Sequence, residues 1–464
     1  MSSMYDVAVI GAGPGGYVAA VRAAQLGGRV AVIEKAELGG VCLNWGCIPT
    51  KTLIYAGELF KKLKKPEQYG ISADNVRLNL DPLMKRKEQV VRGNRAAVKN
   101  LFTTNGIDHI QGEAQLTGPK EITVNGEIVR ANSVIIATGS SSAGLPGIAL
   151  DGKRVITSTE ALELRELPER IAVIGAGAIG MEFASLWNIW GAKMTVLELM
   201  PRILPLEDEE VSAYMHSLFK KRGMDIRVGT MVSKLDARTD GIKLTLEGEH
   251  PGTVDTDLVL VAVGRRFHSE VVTKTPGLGV EVTPRGAIIV NERMETTLPG
   301  VYAIGDVTAK TLLAHGASNE GLIAAANAMG GNKQMDYRVI PACTFTSPEV
   351  AHVGMTEAQA RATGRDIHVG RFGFSHSGRA FTMADTEGFA KIIGDAGTDE
   401  VLGVHICGPE AGELIAPAAL AMRLEATVEE LFDTVYTHPT LSEVLMEAAG
   451  DYFSLGIHTP PKRG

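Results

Sequence analysis

The chain has 464 residues, 45% of them hydrophobic and 22% charged, with a formal net charge of −8. That length exceeds one ordinary core and points to about three domains of globular type. A negative balance with no strongly basic block argues against nucleic acid as a partner, the lack of an apolar run of about 18 residues argues against a membrane span, and four cysteines in so long a chain do not make a disulfide framework.

The first predicted strand, Tyr5 to Ile10, has no basic and apolar leader before it, the pattern of a cytoplasmic chain. Its run Val7-Ala8-Val9-Ile10 suits a strand buried on both faces. The turn Gly11-Ala12-Gly13-Pro14-Gly15-Gly16 follows, then an alanine-rich helix from Tyr17 to Leu26 stopped by Gly27-Gly28. A second strand runs from Arg29 to Ile33 and ends at Glu34. Cys42 and Cys47 come next, five positions apart in Gly39 to Lys51. The run Lys61-Lys62-Leu63-Lys64-Lys65 reads as a solvated helix end. A strand-rich stretch from about His109 closes with Val134-Ile135-Ile136 and the small-residue turn Ala137-Thr138-Gly139.

The opening pattern then recurs. Ile171 to Ile174 is a strand, Gly175-Ala176-Gly177-Ala178-Ile179-Gly180 a turn, Met181 to Trp190 a helix, and Met194 to Leu197 a strand ending at Glu198. Gly11 and Gly175, Gly13 and Gly177, Gly16 and Gly180, and Glu34 and Glu198 all stand 164 residues apart. One such turn is a weak signal, whereas two copies with the acidic residue equally placed are strong. Further strands run from Leu258 to Val263, ending at Gly264 before Arg265-Arg266, and from Gly300 to Ile304, ending at Gly305-Asp306. From about Ile340, strands at Phe345, Val350 to Val353, His368 to Phe374, Phe389 to Ile393 and Val401 to Cys407 mix with helices at Thr356 to Ala362 and Gly412 to Leu424. The fold class is therefore α/β: two Rossmann-like dinucleotide-binding domains plus a C-terminal α+β domain.

The three glycines of such a turn do different physical work. The first makes the tight bend, the second lets backbone approach a pyrophosphate, and the third lets helix and strand pack closely. The helix N-terminus offers free N–H groups to the phosphates. Glu34 and Glu198 suit ribose hydroxyls, and a carboxylate repels a 2′-phosphate, which favours NAD over NADP at the second turn; Arg202, four residues on, pulls the other way. Cys42 and Cys47 read as a redox pair, with zinc ligation and two inert thiols as the alternatives. Zinc sites need a second Cys or His pair at fixed spacing, and Cys343 and Cys407 stand alone. Pro49 fits the first turn of a helix, which places Cys47 where the dipole favours a thiolate, with Lys51 adding to the field. Dithiol exchange also needs a base. His438-Pro439-Thr440-Leu441-Ser442-Glu443 offers an imidazole with a carboxylate to orient it, but taken alone the pair is weak evidence and a plain surface loop is the better reading. Trp187 and Trp190 read as packing residues.

Taken together, Gly11 to Gly16, Gly39 to Lys51, Ala137 to Gly139, Gly175 to Glu182, Gly300 to Asp306 and His438 to Glu443 resemble the disulfide-reducing flavoprotein oxidoreductases, the class I pyridine nucleotide-disulfide oxidoreductases, over essentially the whole chain. The likeness is greatest to the branch that oxidises dihydrolipoamide to lipoamide with NAD+. The resemblance implies an FAD-binding domain over 1–145, an NAD-binding domain over 146–270, a central domain over 271–340 and a dimerisation domain over 341–464. It implies FAD at Gly11, Gly13, Gly16 and Glu34, and NAD at Gly175, Gly177, Gly180 and Glu198, with Gly139 and Gly264 also at the cofactors. Asp306 would contact the flavin ribitol, Ala314 and His315 would lie against its pyrimidine side, and Lys51 and Glu182 would pair near its reactive nitrogen. On residues alone, Asp306 is a turn aspartate and Glu182 a helix glutamate. Cys42 would exchange with substrate, Cys47 would face the flavin, and His438, backed by Glu443, would be the acid–base residue given by the partner subunit of a homodimer. No metal is implied. The expected partner is dihydrolipoamide, or the lipoyl domain of a 2-oxo acid dehydrogenase or glycine cleavage complex. No lipoyl-carrying extension precedes Met1, so the lipoyl group is expected on another protein. A glutathione reductase-like activity is the rival reading, but it wants basic residues where Glu198 stands. A structural subunit of a large acyltransferase complex is the reading from another class.

Overall fold

The computed structural model describes residues 4–458. It divides into two compact units, one holding the chain up to Leu53 with Leu80–Ala143 and Gly264–Asp336, the other holding Ile54–Asn79, Gly144–Val263 and the chain from Tyr337 onward.

In the first unit the strand Tyr5–Ile10 lies between Val30–Glu34 and Glu127–Ile136, all parallel. Asp108–Gln111 extends the sheet on one side, and Val301–Ala303 joins Glu127–Ile136 in parallel. Glu121–Val124 and Ala114–Gly118 add antiparallel strands. Val7, Ala8 and Val9 are fully buried, as a parallel strand covered on both faces requires. The helix Pro14–Gln25 follows the first glycine turn and packs on Ala314–Ala328 through small residues, among them Gly15, Ala19, Ala317 and Gly321. Two further helices, Gly40–Trp45 and Leu80–Thr104, emerge only in the structure. The second is polar overall, yet its buried Leu83, Met84, Lys87, Val91, Val98 and Phe102 form a stripe at helical spacing.

The second unit repeats the arrangement. Arg170–Ile174 is flanked in parallel by Lys193–Leu197 and Leu258–Val261, with Asp225–Arg227 and Val155–Ile156 at the edges. The helix Ala178–Trp190 buries Trp187, which packs on Phe183 at 5.0 Å between ring centres, so these tryptophans are packing residues. An antiparallel three-stranded sheet, Thr230–Arg238, Gly241–Gly248 and Gly252–Thr256, interrupts it. The C-terminal region is an antiparallel sheet in the order Ala342–Thr344, Glu349–Gly354, Val401–Gly408, Phe389–Asp395, Ile367–Gly373, covered by Ala411–Arg423 and Glu443–Tyr452. The α/β class with two Rossmann-like halves and a C-terminal α+β domain is thus the observed one.

The lysine run closes the helix at Leu63 and is exposed from Lys62 to Lys65, the expected solvated end, with Lys61 donating to Ser347 Oγ at 2.8 Å and Lys64 to the Ile189 carbonyl at 2.6 Å. One local expectation changes. The strand expected at Phe345 stops at Thr344, and the Phe345 N–H goes to a side chain instead.

Candidate active site

Cys42 lies in the helix Gly40–Trp45, Cys47 is the first residue of Cys47–Leu63, and the two form a disulfide with Cα atoms 4.6 Å apart. The helix break at Gly46 brings the sulfurs together. Thr50 Oγ1 donates to the Gly46 carbonyl at 2.6 Å, bracing the break from the following turn. Asn44, between the cysteines and buried, donates to the carbonyls of Leu38 (3.0 Å) and Gly40 (2.8 Å) and accepts from Arg95 Nε and Nη2 at 3.1 and 2.9 Å. Arg95 also pairs with Glu37 at 2.9 Å. The disulfide segment is therefore clamped to Leu80–Thr104. Lys51, four residues after Cys47, shares its helix face.

The two glycine turns have the same geometry. Gly11 and Gly175 sit at φ 103° and 101°, a region open to glycine. A methyl group at Gly16 would collide with the Gly11 carbonyl, and one at Gly180 with the Gly175 carbonyl, so these glycines serve internal packing. The middle glycines differ. A methyl at Gly177 would meet nothing within 4 Å, and one at Gly13 only the Gly40 Cα at 4.0 Å. Each faces open space at a helix N-terminus with no side-chain cap. The backbone there fits a pyrophosphate, as FAD and NAD would present.

Glu34 Oε2 accepts from Ala12 N at 2.8 Å and Oε1 from Ala36 N at 2.7 Å. Glu198 repeats this with Ala176 N at 2.6 Å and Met200 N at 2.8 Å. Each carboxylate is thus locked to its own turn, and a carboxylate's further lone pairs stay available to ribose hydroxyls.

Asp306 lies on the short turn Gly305–Thr308 and accepts from Ser140 Oγ, with Arg265 Nη2 at 3.9 Å. Arg265 donates to Ser140 Oγ and to its carbonyl, both at 2.9 Å. Gly139 and Gly264 open the strands Ser140–Ser142 and Arg265–Phe267, which pair antiparallel. Fully buried Glu320 accepts from Gly305 N at 2.6 Å and sets the turn bearing Asp306. Ala314 and His315 are the first residues of Ala314–Ala328, whose N-terminus has no side-chain cap. One unit thus brings together the disulfide, the first glycine turn, Glu34, Asp306 and this helix N-terminus.

In the other unit, Glu182 is buried on Ala178–Trp190 and accepts from Phe345 N at 2.9 Å. His438 Nδ1 lies 2.8 Å from Glu443 Oε1, and Glu443 Oε2 accepts from Thr440 N at 2.8 Å. Burial raises the Glu443 carboxyl pKa, but the Thr440 N–H and the His438 ring outweigh it and hold the group below its ordinary value. With Nδ1 engaged, Nε2 is the ring atom left to exchange protons, on a side chain 79% exposed. Cys407 is fully buried, and burial pushes its thiol up to about 12, so it is inert at neutral pH. Among the described residues no His, Cys, Asp and Glu cluster suits a metal ion, and no helix is long and apolar enough to cross a membrane.

Sequence reasoning missed Asn44, Arg95, Ser140, Arg265 and Glu320. Gly264-Arg265 at the end of an apolar strand was the one local cue among them.

Residues 5–321 match the family described as pyridine nucleotide-disulphide oxidoreductase, and residues 340–449 match its dimerisation domain. A dihydrolipoyl dehydrogenase of Thermus scotoductus is 47% identical over 98% of each chain. The mitochondrial dihydrolipoyl dehydrogenase of Pisum sativum is 40% identical, covering 98% of this chain and 92% of the relative. Among solved structures, the HOCl-induced flavoprotein disulfide reductase RclA of Escherichia coli superposes with a TM-score of 0.86 at 29% identity, covering 96% of this chain and 99% of its own. With two matching turns, a paired disulfide and family matches along nearly its whole length, this chain belongs to the pyridine nucleotide-disulphide oxidoreductase family.

Proposed function

We propose that the chain is a dihydrolipoyl dehydrogenase that oxidises dihydrolipoamide to lipoamide with NAD+ as acceptor, using FAD. The observation that carries this is the Cys42–Cys47 disulfide at a helix N-terminus, in a chain 47% identical to an enzyme of that name. When bound, FAD and NAD+ supply the two-electron chemistry that no side chain provides. The first turn, Glu34, Asp306 and the Ala314-His315 helix start would hold FAD; the second turn and Glu198 would hold NAD.

His438 Nε2 takes a proton from the substrate dithiol, and the resulting thiolate attacks Cys42 Sγ. The Cys42–Cys47 bond breaks and Cys47 leaves as a thiolate. The second substrate thiol, once deprotonated, attacks the mixed disulfide, releasing cyclic lipoamide and reduced Cys42. The helix N-terminus and Lys51 stabilise the Cys47 thiolate. Re-forming the disulfide yields the two electrons passed on to NAD+.

The chain works as a homodimer in which His438 acts on the partner's disulfide. The dimerisation-domain match supports this, as do exposed apolar side chains in that domain: Leu420 (60%), Leu424 (70%) and Val435 (94%). The functional division is FAD-binding over 1–145, NAD-binding over 146–270, central over 271–340 and interface over 341–464. Its substrate is presented by a lipoyl domain of a 2-oxo acid dehydrogenase or glycine cleavage complex, in the cytoplasm. Glu198 favours this reading over a glutathione reductase-like one. The test is an absorbance spectrum of the purified protein: flavin bands are expected, with a long-wavelength thiolate band on adding dihydrolipoamide or NADH. A colourless protein, or flavin bands that neither reagent changes, would overturn it.

A further inference from the structure

Arg202 is the residue whose charge pulls against an NAD preference. An arginine close after the second strand of a dinucleotide-binding half is the usual ligand of a 2′-phosphate. Here the guanidinium is occupied. Its Nη1 lies 2.7 Å from Glu209 Oε1, and its Nη2 donates to the Pro205 carbonyl at 3.0 Å. Both partners belong to the segment that follows Glu198, so Arg202 braces that segment internally.

The segment is firmly seated. Leu204 N donates to the Ala176 carbonyl of the glycine turn at 2.8 Å, and Ser212 Oγ to the Ile203 carbonyl at 2.6 Å. Asp208 caps the helix Glu209–Lys221 and pairs with buried Lys391 at 2.7 Å. Glu209 is the first residue of that helix, where a carboxylate is electrostatically favoured. The backbone that carries Glu209 is thus fixed, while its side chain stays 70% exposed. A guanidinium carries five N–H donors, so these two contacts do not exhaust it, but a phosphate approaching the Nη1 side would have to displace Glu209.

We propose that Glu209 is a specificity-determining residue: by occupying Arg202 it withholds a cation, four residues after Glu198, that would accept a 2′-phosphate. Discrimination against phosphorylated nucleotide then has two parts, repulsion by Glu198 and sequestration of Arg202. This rests on the reading that the second turn holds NAD.

The test uses the purified holoenzyme and titration calorimetry with ADP-ribose and 2′-phospho-ADP-ribose, so that no turnover is needed. Glu209→Gln should raise the ratio of affinities for the phosphorylated over the plain ligand about fivefold, the size of one ion pair released at a surface. In an Arg202→Met background the same change should leave the ratio where it was. A ratio unmoved by Glu209→Gln, or one that rises equally without Arg202, overturns the proposal; the latter marks a simple loss of negative charge. Failure of the wild type to bind either ligand is a different result, and overturns the assignment of the second turn to NAD.

Discussion

Glu349, on the strand Glu349–Gly354, turns the fold's electrostatics into a measurable pH effect. Burial pushes its carboxyl up from 4.5 to about 7; the Gly412 N–H, 2.8 Å away, opposes this, and the carboxylates of Glu410, Glu58 and Glu413 reinforce it. In the unfolded chain the group loses its proton near pH 4.5, while the folded chain keeps it until about pH 7. Between those values the native state binds the extra proton, so stability falls as pH rises through the window. A gap of about 2.5 pH units, at about 1.4 kcal/mol each, makes the loss about 3 kcal/mol once pH 8 is reached. Glu349→Gln keeps the size and a carbonyl for the Gly412 N–H but never ionises. The variant should therefore exceed the wild type in stability by about 3 kcal/mol at pH 8, with the difference shrinking towards zero near pH 4.5. Denaturant titration of the holoenzyme, at fixed protein and FAD concentration and at several pH values, measures this. A difference that is constant across pH, or that favours the wild type at pH 8, would refute the reasoning.

Cys47→Ser should retain bound FAD yet abolish NAD-linked oxidation of dihydrolipoamide; retained turnover in a coupled absorbance assay would remove that sulfur from the scheme. His438→Ala should cut dithiol oxidation by about 10² or more, while electron transfer from NADH to an artificial acceptor survives; equal loss of both would contradict the base role. The glycines of the second turn should separate into one for binding and one for folding. Gly177→Ala, whose methyl meets only open space, should fold with an unchanged melting temperature but lose NAD binding, whereas Gly180→Ala, whose methyl meets the Gly175 carbonyl, should fail to fold. Soluble, NAD-binding Gly180→Ala protein would sink that division.

The features legible in the chain are those built from neighbours. Each glycine turn is a strand, a tight bend and a helix within about thirty residues, so its spacing alone announced it, and Glu34 and Glu198 fold back onto N–H groups only 22 residues away. The cysteines needed only a helix break at Gly46. The helix Leu80–Thr104 escaped notice because its apolar stripe is sparse, and the docking of Lys61 and Lys64 because a lysine's partner is invisible in a run of lysines.

By itself the sequence determined the two dinucleotide turns, the redox pair and the α/β class, because these follow from backbone sterics and from periodicity within single elements. Tertiary structure alone decided what holds them in place: Arg95 on Asn44 across 51 residues, Ser140 on Asp306 across 166, and Lys391 on Asp208 across 183. A polar side chain carries no mark of a distant partner in its own sequence context. Only when hydrophobic burial brings two segments together does an unmet donor find its acceptor, and an unpaired group there would cost more than the bond contributes.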